Sequence, residues 1–121
     1  MATNAPPTLP KVISDYLAAS ENRDVDAIVA CFSDDGVVVD EGKQRRGVAE
    51  LRRWREDVDT AFQYTATLTG WVPLGGIDGA QRYDVALHLQ GDFPGGEVDL
   101  LNRFAVRDGR IVNLHIAPAA S

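Results

Sequence analysis

The chain has one cysteine in 121 residues, Cys31. A single thiol closes no internal disulfide and builds no thiolate zinc cluster, so neither staples nor a structural metal is expected to carry the fold. Cys31 itself is expected as a small core hydrophobe. Long apolar runs are absent too: no stretch approaches the roughly 18 uncharged residues of a membrane span. The opening Met1-Ala2-Thr3-Asn4 lacks the basic start and apolar core of a secretion signal. These absences lead to the expectation of a cytoplasmic protein with no membrane partner. Positive charge is the minority sign, with 12 Lys plus Arg against 18 Asp plus Glu and a net charge of -6. Such a balance repels nucleic acid and anionic surfaces at long range, so no nucleic-acid partner is expected. The sequence also lacks a Gly-rich phosphate loop, a His-x-x-x-His pair, a Gly-x-Ser-x-Gly elbow and a Cys/His cluster. No cofactor and no metal are therefore expected.

What is present suits an ordinary soluble domain: 45% hydrophobic and 25% charged residues. A chain of this length buries roughly two-thirds of its unfolded surface on folding. We expect a frayed leader over residues 1 to 8 and one domain over 9 to 118. Thr8 is expected to cap a helix whose first turn holds Pro10, with Val12, Ile13, Tyr16, Leu17 and Ser20 on its apolar stripe. Asp24 reads as the N-cap of a second short helix with Val25, Ile28, Val29 and Phe32 inward. The two helices should form an antiparallel hairpin. Asp34-Asp35-Gly36 signals a turn before the strand Val37-Val38-Val39-Asp40, and Glu41-Gly42-Lys43 a loop after it. Val48, Leu51, Trp54, Val58 and Phe62 step as a third helix, with Arg52, Arg53, Arg55 and Glu56 assigned to its solvated face.

Beyond residue 63 the period changes to two. Strands are expected over Tyr64 to Val72, Gln81 to Leu89, Glu97 to Arg107 and Arg110 to Ala117. Their breakers are Pro73 to Gly79, Pro94-Gly95-Gly96 and the hairpin dipeptide Asp108-Gly109. Helix, helix, strand, helix and four strands describe an α+β domain with helices on one face of a curved, mostly antiparallel sheet.

Three polar residues fall where the pattern calls for apolar ones. Tyr16 lies on the inner stripe of the first helix, so its hydroxyl needs an interior partner. Asp40 closes a run of three valines, at the mouth of an apolar region where a carboxylate gains basicity. Asn102 alternates with Val98, Leu100 and Phe104 on one strand face, and a buried amide there meets either a structural bond or a ligand. Asp99 has the opposite parity and is expected to pair with Arg103 on the outer face. His88 and His115 also alternate outward. Six of the basic residues fall between Lys43 and Arg55, a run read as the solvated side of the third helix.

Tyr16-Leu17-Ala18-Ala19, the stretch Asp24 to Asp35 with its Phe32-Ser33-Asp34-Asp35, Val37 to Asp40, and Gly47 together resemble the nuclear transport factor 2-like superfamily, in its branch of SnoaL-like polyketide cyclases and ketosteroid isomerases. The resemblance covers nearly the whole chain and implies a cone-shaped fold, three helices over a strongly curved, mostly antiparallel sheet. It also implies roles. Tyr16 falls on the isomerases' oxyanion donor and Asp40 on their proton-moving base, while Asn102 stands where they carry a second, protonated Asp. Glu41 replaces the Pro that follows the base in many relatives. The implied pocket opens between the first helix, the first strand and the concave sheet, with Trp54, Phe62, Tyr83 and Val85 among its walls. Leu87, Leu100, Phe104 and Leu114 complete the set, with Val39 and Ile116 beside them. A small hydrophobic carbonyl compound suits such a wall, and cofactor-free proton transfer α to its carbonyl is the expected reaction. A polyketide cyclase or dehydratase on a larger, more polar substrate, and a ligand-binding or dimerisation module without chemistry, remain the alternatives. A homodimer through the convex sheet face is expected, because that second face would otherwise lie in water.

Overall fold

Ile13, Tyr16 and Ala19 repeat at intervals of three along α1 (Lys11–Glu21) and are its buried residues. In the computed structural model, which describes residues 8–119, the leader expected over residues 1 to 8 lies, Thr8 apart, outside the described part. Pro10 occupies the N-cap position of α1 without a side-chain cap, so Thr8 is not the cap expected of it. Asp24 caps α2 (Val25–Ala30), accepting from the Ala27 amide. Phe32 falls beyond this helix and opens a strand.

That strand, β1 (Phe32–Asp40), runs through Asp34-Asp35-Gly36 instead of starting after a turn there. The turn-forming residues make an irregularity in the ladder: Phe32 pairs with Ile111, yet Val37 pairs with Asn113. Four residues of β1, Ser33 to Gly36, thus lie against the single Val112 of the neighbouring strand, which bends β1 without ending it. Glu41 and Gly42, both at positive φ, close a two-residue turn into β2 (Lys43–Arg46). This short strand, Lys-Gln-Arg-Arg, has no apolar alternation to announce it. Gly47, at φ 87°, then leads into α3 (Val48–Ala61), whose buried residues are Leu51, Trp54 and Arg55.

The remaining strands are β3 (Tyr64–Ile77), β4 (Ala80–Gly91), β5 (Glu97–Arg107) and β6 (Arg110–Pro118). β3 passes through most of the expected breaker at Pro73 to Gly79, absorbing it in register shifts at Leu68/Gly70 and Pro73/Gly75, and only Asp78-Gly79 turns the chain. As an edge strand, β3 leaves the Pro73 nitrogen unpaired without breaking an interior ladder. Asp108-Gly109 closes the β5–β6 hairpin as expected, both residues at positive φ.

The sheet order is β2-β1-β6-β5-β4-β3, antiparallel throughout except for the β1–β6 pair. Register shifts in three of its five ladders curl it, and the helices pack onto β1, β2 and β6. Ile13, Ile28, Leu51, Val85, Phe104, Ile111 and Leu114 fill the seam at 0–1% exposure. Each such side chain contributes roughly 1.5–3 kcal/mol of burial. Cys31 is buried in the same cluster. No helix among the described residues is long and apolar enough to cross a membrane.

On the sheet's outer face the expected Asp99–Arg103 pair is replaced by cross-strand partners. Register places Asp84 opposite Arg103 and His88 opposite Asp99. Arg103 grips both oxygens of Asp84 at 2.7 and 3.0 Å, and His88 bonds Asp99 at 2.7 Å and Glu97 at 3.1 Å. Directly opposed residues in a ladder are closer than a same-strand residue four positions away. His115 is exposed, as its parity requires.

Candidate active site

Beyond the packed seam, the space between α1, α3 and the open half of the sheet is a cavity of about 980 Å³, walled mainly by apolar side chains. Tyr16, Asp40 and Asn102 all line it. Three elements far apart in sequence therefore deliver the three polar candidates to one space.

Tyr16 is held by its ring. Edge-to-face contacts with Phe104 (5.5 Å between centroids) and Phe32 (5.9 Å) fix the phenol, each worth about 0.5–1.5 kcal/mol beyond burial. Burial pushes the Tyr16 phenol well above its usual range, and the charge of the Arg55 guanidinium pulls the other way. At neutral pH Tyr16 is a proton donor.

Asp40 ends β1 and accepts a hydrogen bond from the Trp54 indole Nε1 at 3.0 Å. Trp54, expected only as a wall, thus also orients the carboxylate. Asn102 lies opposite Val85 and Ile116 in the ladders and is 3% exposed. Its Oδ1 is buried without a hydrogen-bond partner among the described residues. An orphaned amide oxygen costs about 1–3 kcal/mol, unusual unless another requirement holds the residue there.

The expected wall residues divide. Trp54, Phe62, Leu87, Leu100 and Ile116 line the cavity. Phe62 caps the end of α3 in extended conformation and stacks edge-on against Phe93, 6.1 Å away. Val85, Phe104 and Leu114 share the inward parity but are fully buried in the core and do not line the cavity. Tyr83 packs against Trp71 at 6.2 Å, also away from it, and Val39 is likewise not among the lining residues. Parity assigns a face of the sheet; it does not say whether a helix covers that stretch. The half near α1 and α2 is core, and the other half is open.

Two site residues escaped the sequence reading. Arg55, assigned to the solvated face, is 3% exposed and lines the cavity. Its Nε donates to Asp59 Oδ1 at 3.1 Å, and its Nη2 to the Ser20 carbonyl at 3.3 Å and the Tyr64 hydroxyl at 3.0 Å. Tyr64, the first residue of β3, is the second. The Arg23 guanidinium lies 5.7 Å over its ring, and a Cβ at Gly91 would collide with the Gln63 carbonyl and with Tyr64. Glycine there lets the start of β3 pass this close to the end of β4. The rim carries Lys43 and Arg45 of β2 with Glu21, Glu41 and Asp57. Among the described residues no group of three or more His, Cys, Asp or Glu is arranged to hold a metal ion.

Comparison with known proteins places the chain in a family and a fold. The family model of the SnoaL-like domain matches residues 13–114. A protein of Sinorhizobium meliloti described as a polyketide cyclase is 33% identical, with a TM-score of 0.80 over 90% of this chain and 95% of that one. A protein of Catenulispora acidiphila with a ketosteroid isomerase-like fold, in complex with trimethylamine, is 18% identical with a TM-score of 0.77, covering 94% and 89%. The orange carotenoid protein of Anabaena binding canthaxanthin is 16% identical with a TM-score of 0.82, covering all of this chain and 39% of that one. No curated protein matches the chain in sequence.

Proposed function

The chain belongs to the SnoaL-like family, of nuclear transport factor 2-like fold, and from that premise we propose that it is a cofactor-independent enzyme moving a proton α to the carbonyl of a small hydrophobic compound. The observation that carries this reading is the Asp40 carboxylate, aimed by the Trp54 indole at 3.0 Å into the cavity that also holds Tyr16 and Asn102. Asp40 takes the proton from the carbon next to the carbonyl. Tyr16 donates to the oxygen as it becomes an enolate, and Asn102, its Oδ1 shut in, offers its NH₂ to the same oxygen. Donors already in place need no reorganisation when charge develops. Asp40 then returns the proton to a different carbon of the dienolate, which makes the net reaction an isomerisation.

The test is a β,γ-unsaturated ketone offered to the wild type and to Asp40→Asn, followed by the absorbance of the conjugated product. The amide keeps the shape of the side chain, so ligand affinity should persist while turnover is lost. Equal turnover in the two proteins would refute the assignment.

A polyketide cyclase using the same base is the second reading, favoured by the Sinorhizobium meliloti relative and by the charged rim of Lys43, Arg45 and Glu41. Against it, neither histidine lines the cavity to supply a further acid or base. Canthaxanthin in the Anabaena protein supports an apolar ligand for this fold, with or without chemistry. The reading extends to one domain over residues 9 to 118, in a cytoplasmic homodimer joined through the outer sheet face. Val72, 54% exposed opposite Asp84, supports that surface.

A further inference from the structure

A buried guanidinium needs more than one partner, and Arg55 is arranged so that its charge is not fully spent on them. Its acidic partner, Asp59, bonds through one oxygen only, at the guanidinium's Nε, and the other oxygen is left buried without a partner among the described residues. Asp59 does not line the cavity, whereas Arg55, Tyr16 and Tyr64 do. The ion pair therefore presents its positive end to the cavity and its negative end away from it. The Tyr64 hydroxyl oxygen accepts from Arg55 Nη2. A phenol oxygen engaged as an acceptor keeps its own proton for another acceptor, and the cavity is what Tyr64 borders.

We propose that Arg55 is the positioning residue of the oxyanion site: a fixed cation behind Tyr16 and Tyr64 that turns the Tyr64 proton toward the cavity beside that of Tyr16 and strengthens both as donors to an anionic ligand oxygen. The inference rests on the proton-transfer reading for its biological use, since an enolate is the oxyanion that reaction forms. It adds Tyr64 to the donor set and names the ligand chemistry as a phenolate or enolate on an apolar skeleton. Charge-assisted bonds of this kind are roughly twice as strong as neutral ones. The Asp40 carboxylate opposes Arg55 at Tyr16, the Arg23 guanidinium lies over the Tyr64 ring, and Glu21, Glu41, Lys43, Arg45 and Asp57 also line the cavity.

The probe is a fluorescent naphthol, whose emission and absorbance distinguish the bound naphtholate from the bound neutral form without any turnover. Arg55→Met combined with Asp59→Leu removes both charges at similar volume, an exchange that buried ion pairs tolerate. At one pH the ratio of bound naphtholate to naphthol should fall about tenfold, the effect of one pKa unit on the bound phenol. Tyr64→Phe retains the ion pair and should lower the same ratio by about threefold, as loss of one donor among several. It also keeps the test available if the double variant does not fold. A ratio unchanged in either folded variant, with the naphthol still bound, would reduce Arg55 to a tie between α1, α3 and β3 and overturn the inference. A lower ratio in a protein that turns over no ketone would support the inference and refute the proton-transfer reading. No naphthol binding by the wild type would overturn both.

Discussion

Replacing Asn102 by leucine should make the protein more stable and less active at once. The side chain is 3% exposed, with the apolar Val98, Leu100 and Phe104 on the same strand face and Val85 and Ile116 opposite, and its Oδ1 finds no partner among the described residues. Leucine has the same branched shape without polar atoms, so the substitution relieves about 1–2 kcal/mol of unsatisfied burial. A chain of 121 residues has an unfolding entropy near 0.25 kcal/mol/K, so the gain corresponds to about 4–8 °C in Tm. If the amide donates to the enolate oxygen, its loss lowers turnover by about 10²–10³. Differential scanning calorimetry and the conjugated-ketone assay on one preparation read both effects. A Tm that falls would mean that the amide is satisfied in solution, and the case for a ligand-facing Asn102 would fail.

Tyr16→Phe should leave Tm within a few degrees, because the ring contacts to Phe32 and Phe104 persist, while kcat falls about 10²–10³ as one oxyanion donor is lost; a change in KM alone would refute the donor role. Arg55→Ala should destabilise by about 3–5 kcal/mol, measured by urea unfolding, since it strands Asp59, whose side chain is 15% exposed, without its cation. Bonds to Asp99 and then Glu97 raise the His88 pKa above its ordinary 6.5. Its stabilising contribution is complete below 6.5 and is lost as pH rises through the raised value, so His88→Gln should flatten the pH dependence of Tm on the alkaline side of 6.5. An unchanged profile would leave the trio without effect on stability. Sedimentation at micromolar concentration should report the mass of two chains, and a monomer would remove the proposed outer-face interface.

Where the physics was local, the elements were legible. Asp24 could be read as a cap because the bond to Ala27 spans three residues. Asp108-Gly109 could be read as a hairpin because both positions adopt positive φ. What failed was the assumption that turn-forming residues end a strand. Asp34-Asp35-Gly36 and Pro73 to Gly76 lie inside strands because neighbours in the curled sheet hold both flanks, converting a break into a bulge. β2 was invisible for the opposite reason: Lys-Gln-Arg-Arg pairs by backbone alone on an exposed edge.

The site divides along the same line. Tyr16, Asp40 and Asn102 stood out because each is polar on an apolar face, a contrast visible in one dimension. Arg55 carried a signal of the same kind, standing four residues after Leu51 and three before Val58, on the very stripe that Trp54 marks. It was assigned to solvent with the run of basic residues around it, taken together as the solvated side of the helix. The partners that make it affordable are Asp59, one turn on along the same helix, and Tyr64 and the Ser20 carbonyl, which only the tertiary fold brings near. A charge placed on the stripe, with an opposite charge at i+4, is therefore the pattern to read as a buried pair. In a helix bordering a cavity, which end of that pair faces the ligand then decides the sign of the field that the site presents.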